Sequence, residues 1–467
     1  MYRKFARFLH PEAARRAIHI ARKPLLSGSL LAVSLLLFGC GAQYRPVVSA
    51  INPVGPASQP TKYAVAISSP SPTSPGLLTI VDFSGDSVLT TPQILSNPSY
   101  LALNPGGGTG FVINSAGSFN TFGVSSRLIS SNILQNTLTA GGSPVSITDI
   151  SLPTETVFVP EPDLSQVSAL SPSGSLQQNI GIADNPVYVV GTSGALRAYA
   201  ISEGNGGNNG YVSPIESGNL AVTTPINVGV NPVYGVMTPD GKRAYILNNG
   251  SGTVSVINVV NNGPDVAMPT IPATGTLGLH PVWADLAPTN SELIVLNAGD
   301  GVTPGSLSII SIPLCSAAAQ PTNPNCNAAN PVDATGFGDV LATVPVGINP
   351  TMVSVLQDGT KAYVANAGNA SAGIEGSVSV VNLISGKVVA TIPAISAGPA
   401  TVGVNTTPGE VYGHPGTIVA TTGTPTGKVY VTSPDNRYMT VIETDTDTVD
   451  THINLQGNGI RVVITSL

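Results

Sequence analysis

The chain has 467 residues, of which 9% are charged, 5% aromatic and 42% apolar, with 51 Gly and 40 Pro. The apolar fraction excludes a disordered chain, and many short Val/Ile/Leu/Thr runs between Gly, Pro, Asn and Asp point to an all-β, turn-rich protein. Seven of the 18 basic residues lie in 1–23; the rest of the chain carries 11 basic against 24 acidic residues, a net charge near −13, which excludes nucleic acid as a partner.

The first element is an address. A basic stretch (Arg3, Lys4, Arg7, Arg15, Arg16, Arg22, Lys23) precedes an apolar run from Leu25 to Phe38 that is too short and broken for a permanent membrane span. Leu37-Phe38-Gly39-Cys40 resembles a bacterial lipobox, which implies cleavage before Cys40 and a diacylglycerol on its sulfur. An ordinary signal peptide with an incidental Cys, or a twin-arginine signal at Arg15-Arg16, are the alternatives. The expected organisation is an export signal at 1–40, a flexible tether at 41–60 and one domain at 61–467. Gly41 after the lipid-bearing Cys favours the outer membrane of the cell envelope over retention at the inner one.

From about residue 60 the chain repeats. NPTMVSVLQDGTKAYVANAG followed by SVSVVNLISGKVVATIP, over 349–393, is the clearest unit, and others begin at 231 and 414. Each contains four short β runs separated by turn signals such as PDG, QDG and ISGK. A proline marks each start: Pro98, Pro144, Pro186, Pro232, Pro281, Pro350 and Pro415, spaced 46, 42, 46, 49, 69 and 65 residues apart. Four-stranded units at this spacing are propeller blades. An incomplete unit stands at each end. KYAVAI, LLTIVDF and SVLTTPQIL (62–95) lack a first strand, and GIRVVITSL (459–467) is a first strand with nothing after it. Joined, they complete a blade and hide two sheet edges. The expected fold is an all-β propeller of four-stranded blades closed by the C-terminal strand. The count is eight, or seven if the weak unit at 186–229 is irregular.

The AYVAN…SVSVVN…VVATIP cadence at 362–393 resembles the bacterial YVTN-repeat β-propeller family. The resemblance extends over nearly all of the mature chain, strongest at 231–260 and 349–393. It implies a secreted or surface-attached propeller, commonly without enzymatic activity, and carries no fixed catalytic residues.

Two cysteines, Cys315 and Cys326, flank a Pro/Asn/Ala-rich loop. In an oxidising compartment they are expected to pair and stiffen it, the alternative being two free thiols.

In a propeller the first strands line a central channel, and the loops entering them share one face with those joining second to third strands. Insertions at 204–210, 298–305, 367–376 and 394–413 fall on that face, over blades four to eight. Its candidate binding residues are His280, Asp300, Glu375, Glu410 and His414. His280 and His414 open first strands where other units carry Asn97, Asn185, Asn231 and Asn349, so a turn or capping role competes with ligand contact. Glu443, Asp445 and Asp447 resemble a calcium loop in composition but align with a hairpin and lack the bending Gly. Trp283, the only Trp, falls in a first strand and suits core packing; His452 falls in a fourth, outer strand. G-x-S-x-G, H-E-x-x-H and a phosphate-cradling Gly loop are missing, and no cofactor or metal is expected. The functional expectation is a binding or scaffold module for an envelope or extracellular protein or glycan. The alternative is a lactonase or quinoprotein-dehydrogenase type enzyme at the channel mouth, where first-strand Arg is almost absent.

Overall fold

Runs of four to nine β-branched and aromatic residues pair, blade by blade, into antiparallel sheets whose strands follow one another in the chain. The computed structural model describes residues 62–465 apart from 115–116, 125–132, 205–206, 267, 288–290, 314–335, 397–408 and 422–426. The export segment, Cys40, the tether and the Cys315/Cys326 pair lie outside the described residues.

Eight sheets form the blades of a β-propeller, the count expected from the repeat. Blade 1 is the composite one. The strand Asn458–Ile464 pairs antiparallel with Tyr63–Ser69, which pairs with Pro75–Asp82 and so on to Ser87–Thr90. Blades 2 to 8 open with first strands Pro98–Leu103, Thr148–Ser151, Pro186–Val190, Pro232–Met237, Pro281–Ala287, Pro350–Val355 and Thr417–Ala420. The unit at 186–229 is a regular four-stranded blade, Pro186–Val190 through Ile226–Val230, so the seven-blade alternative falls away.

Burial falls from the inside of each blade to its rim. The second strand Arg243–Asn248 is buried throughout and Lys361–Asn366 nearly so, because both faces pack on adjacent sheets. The fourth strand Lys387–Ile395 is mostly exposed. Such rims offer unpaired backbone to other chains, and proline blunts them: Pro345 and Pro393 sit within the fourth strands of blades 6 and 7, and Pro92 between Ser87–Thr90 and Gln93–Ser96 of blade 1.

Adjacent first strands are stitched by side chains rather than by sheet pairing. Thr148 Oγ1 donates to Val189 O at 2.8 Å, Val355 N donates to Asp285 Oδ2 at 2.8 Å, and Ala420 N donates to Ser354 Oγ at 2.9 Å. The seam at blade 1 is held in the same way: Val462 N donates to Thr417 Oγ1 and Arg461 Nε to Leu101 O.

Further out, the repeat signature itself is a clasp between blades. Lys361 and Tyr363, opening the second strand of blade 7, both reach Asp447 in the hairpin between third and fourth strands of blade 8. Lys428 and Tyr430 of blade 8 grip Asp86 of blade 1 in the same geometry. Tyr199 of blade 4 bonds Asn262 of blade 5. Asp86, Asn262 and Asp447 all have φ between 50° and 55°, a left-handed turn position that Asn and Asp tolerate. The acidic hairpin 443–450 is therefore not merely solvated, because Asp447 is its inter-blade anchor.

Arg243 opens the second strand of blade 5 beside the turn at 240–242. It is not an exposed turn residue; its Nε lies 2.9 Å from Asp265 Oδ2, and both side chains are fully buried. Asp265 begins the loop between Gly263–Pro264 and Thr270–Ile271, two short pieces that stand in for the fourth strand of blade 5, and its Oδ1 accepts from Met268 N.

Candidate functional site

The segment that leads into each first strand has a common construction. Before blades 5, 6 and 7 it reads Gly-Val-Asn-Pro, Gly-Leu-His-Pro and Gly-Ile-Asn-Pro. The glycine is required by close approach: a Cβ on Gly229, Gly278 or Gly347 would lie within about 2.6 Å of the side chain of Asn248, Asn297 or Asn366, the last residue of the next second strand. Asn248 and Asn366 accept the N–H of Gly229 and Gly347, each at 3.0 Å. Asn231, His280 and Asn349 then take φ of 50° to 55°.

His280 thus occupies the left-handed slot that Asn fills elsewhere. It is exposed, with its Nδ1 3.1 Å from Asn249 Oδ1. His414 does not share that slot, because Gly413, at φ 79°, takes the left-handed conformation there. His414 is fixed by Asp435 instead, its N donating to Oδ1 at 2.8 Å and its Nδ1 lying 2.6 Å from Oδ2.

The acidic candidates organise loops. Asp300 Oδ1 accepts from Val302 N, Thr303 N and Thr303 Oγ1, all at 2.9 Å or less, and these hydrogen bonds hold its carboxyl below the usual carboxylate range. Glu375 accepts from Ser396 N and Ser396 Oγ, tying the loop between second and third strands of blade 7 to the end of its fourth strand. Asn369 Nδ2 donates to Gly301 O at 2.9 Å, joining the corresponding loops of blades 6 and 7. Glu410 contributes its backbone: its carbonyl accepts from His452 Nε2 at 2.9 Å, and the imidazole stacks on Tyr412 with centroids 3.9 Å apart. Burial pushes His452 below its ordinary value, so it is a neutral strut in the outer strand where its sequence position placed it. The five candidates are therefore each held by their own local contacts and do not converge on one point.

The channel beneath that face holds a cluster that sequence reasoning missed. The third position of most first strands carries a large side chain. Tyr188 and Tyr234 lie 4.7 Å apart, and Tyr234 stacks on Trp283 at 4.1 Å. Arg461 of blade 1 places its guanidinium 3.9 Å over Tyr100 and 5.4 Å from the ring of Trp283, which belongs to blade 6. Side chains from blades 1, 2, 4, 5 and 6 thus meet in the channel. Trp283 is part of this floor as well as of the packing between blades, and Arg461 is the rare first-strand arginine that reaches it. Burial pushes the Tyr188 hydroxyl up to about 12 and raises that of Tyr234 well above its ordinary value. The shared position, Tyr100, Tyr188, Tyr234 and Trp283, was legible as two residues beyond the marker proline. Arg461 carries no proline marker; its channel placement follows from reading 459–467 as the first strand of the composite blade.

Deeper acids are present too. Burial raises Asp285 to about 6 although Val355 N and Leu286 N donate to it. Burial, and then the neighbouring Glu155 carboxyl, raise Asp149 to about 8. Among the described residues, no three His, Cys, Asp or Glu side chains group as a metal would require.

This geometry defines an eight-bladed β-propeller with a loop-bearing face over an aromatic channel floor. Solved structures similar to it include a dihydro-heme d1 dehydrogenase, NirN, in complex with DHE (TM-score 0.59, 12% identity, 89% of this chain and 78% of that one). They also include apo AztD from Citrobacter koseri (TM-score 0.57, 13% identity, 86% and 97%). At these identities the likeness is one of fold. No protein-family model matches the chain, and no curated protein matches it.

Proposed function

We propose that the chain is an exported propeller of the YVTN-repeat kind, tethered by lipid on Cys40 to the outer membrane. In this reading the loop face of blades 4 to 8 is a rigid platform for a protein or glycan of the envelope or extracellular space. The observation that carries the reading is the bracing of those loops across blades through Asn369 and Gly301. Beside that brace, Leu279 and Val302 stand 61% and 64% exposed. The two loops that bear them are joined, Gly299 N donating to Leu279 O at 3.0 Å. Apolar side chains held out on fixed loops are characteristic of recognition surfaces. A Cys315–Cys326 disulfide would stiffen the insertion of blade 6 in the same oxidising compartment.

The test is capture of a partner from native envelope by the tethered chain. A specific partner retained by wild type and lost with Leu279→Asp or Val302→Asp supports the platform. Unchanged capture by both variants, and by charge reversal at Asp300, Glu375 and Glu410, overturns it. The second reading, an enzyme of lactonase or quinoprotein type at the channel mouth, draws support from Arg461 and is tested by a lactone-hydrolysis and dehydrogenase screen of the same preparation.

A further inference from the structure

Arg461 sits in a chain with a large acidic excess, yet no carboxylate of the described residues lies within ion-pair distance of it. Its Nε donates to Leu101 O and its Nη2 to Tyr100 Oη, both at 3.0 Å. A guanidinium has five N–H donors, so three find no acceptor among the described residues. The side chain is only half-buried, as are Tyr100 and Trp283. Asp285, the acid in the first strand of Trp283, is already engaged by two backbone N–H groups.

A partly desolvated cation without a counter-ion favours an anion, and the planar guanidinium fork matches a carboxylate. The rings of Tyr100 and Trp283, one already under the guanidinium and the other stacked on Tyr234, make the surroundings of that carboxylate aromatic and largely apolar. The loops above hold exposed Asn97, Asn185 and His280 at the entrances of three first strands, a polar rim around this floor. We infer that the mouth of the central channel binds a small carboxylate borne on a ring, with Arg461 as the anion contact and Tyr100 and Trp283 as aromatic walls beside it. This goes beyond the platform reading and does not depend on it.

Trp283 is the only Trp in the chain, so its emission reports directly on the floor. The mature full-length chain is titrated with benzoate and with glucuronate, which separate an aromatic acid from an acidic sugar. Benzyl alcohol and glucose are the uncharged counterparts. The expected result is a saturable emission change with at least one carboxylate and none with its neutral counterpart. Arg461→Gln should weaken that binding at least about tenfold, as loss of a charged hydrogen-bonding partner does. Arg461→Lys, which keeps the charge but loses the fork, should bind at an intermediate level and covers the case in which Arg461→Gln does not fold. Overturning results are no saturable change with either acid, or equal carboxylate affinity in wild type and both Arg461 variants. Partner capture by the loop face does not involve Arg461, so the two readings fail separately.

Discussion

Lys361 Nζ lies 2.8 Å from Asp447 Oδ2, and the two residues belong to successive blades although 86 positions separate them in the chain. Tyr363 Oη donates to the other carboxylate oxygen, so one acid receives two donors from one second strand. The Lys-x-Tyr pattern is thus a device that ties blade 7 to blade 8 and, through Lys428, Tyr430 and Asp86, blade 8 to blade 1.

The clasp should contribute to stability as a charge-assisted pair at a partly screened site. Asp447→Ala is expected to destabilise by about 1–3 kcal/mol. Asp447→Asn, which keeps an acceptor for the Tyr363 hydroxyl, should cost less. Chemical denaturation of both, with Lys361→Met to complete a double-mutant cycle, measures the coupling. Coupling indistinguishable from zero would show that the contact holds nothing.

Closure of the ring should matter beyond blade 1. Removing residues 458–467 deletes the strand that pairs with Tyr63–Ser69 and abuts the first strands of blades 8 and 2. Melting temperature should fall sharply, and hydrogen exchange should accelerate in Tyr63–Ser69 and Pro98–Leu103 together. An unchanged melting temperature would mean that the seam is dispensable.

His280 should accept Asn and reject β-branched residues. At φ 55° the slot penalises an ordinary L side chain by roughly 1–2 kcal/mol, and Asn least. His280→Asn is expected to melt at or near the wild-type temperature and His280→Val several degrees lower. If His280→Val melts with wild type, the slot is not strained.

Asp149 should make the protein less stable in alkali. Its carboxyl is raised to about 8 in the folded chain from an ordinary 3.8, so the folded state holds a proton that the unfolded state releases. That contribution is complete below about pH 4 and is lost as pH rises to 8. Asp285, raised to about 6, adds the same sign over the lower part of that range. Asp149→Asn should flatten the decline in melting temperature between pH 5 and pH 8, as followed by thermal denaturation. An equal decline in the variant would remove Asp149 as its source.

Much of this fold was readable in one dimension because a repeat states its local rules many times. Pro98, Pro186, Pro232, Pro281 and Pro350 each begin a first strand, and the split blade followed from counting strands at the two ends. Loop function was less legible. Asp300 and Glu375 were singled out by charge, but their carboxylates point back into the loops they organise.

By itself, then, the sequence determined the strand pattern, the blade count and the joined ends, since period-two burial and turn chemistry act over a few residues. Only the tertiary structure decided what meets across the ring. Asp447 finds Lys361, Arg243 and Asp265 pair out of water, and Arg461 reaches Trp283, three first strands earlier in the chain. Those contacts depend on how far each blade is rotated about a common axis, which no local stretch of residues encodes.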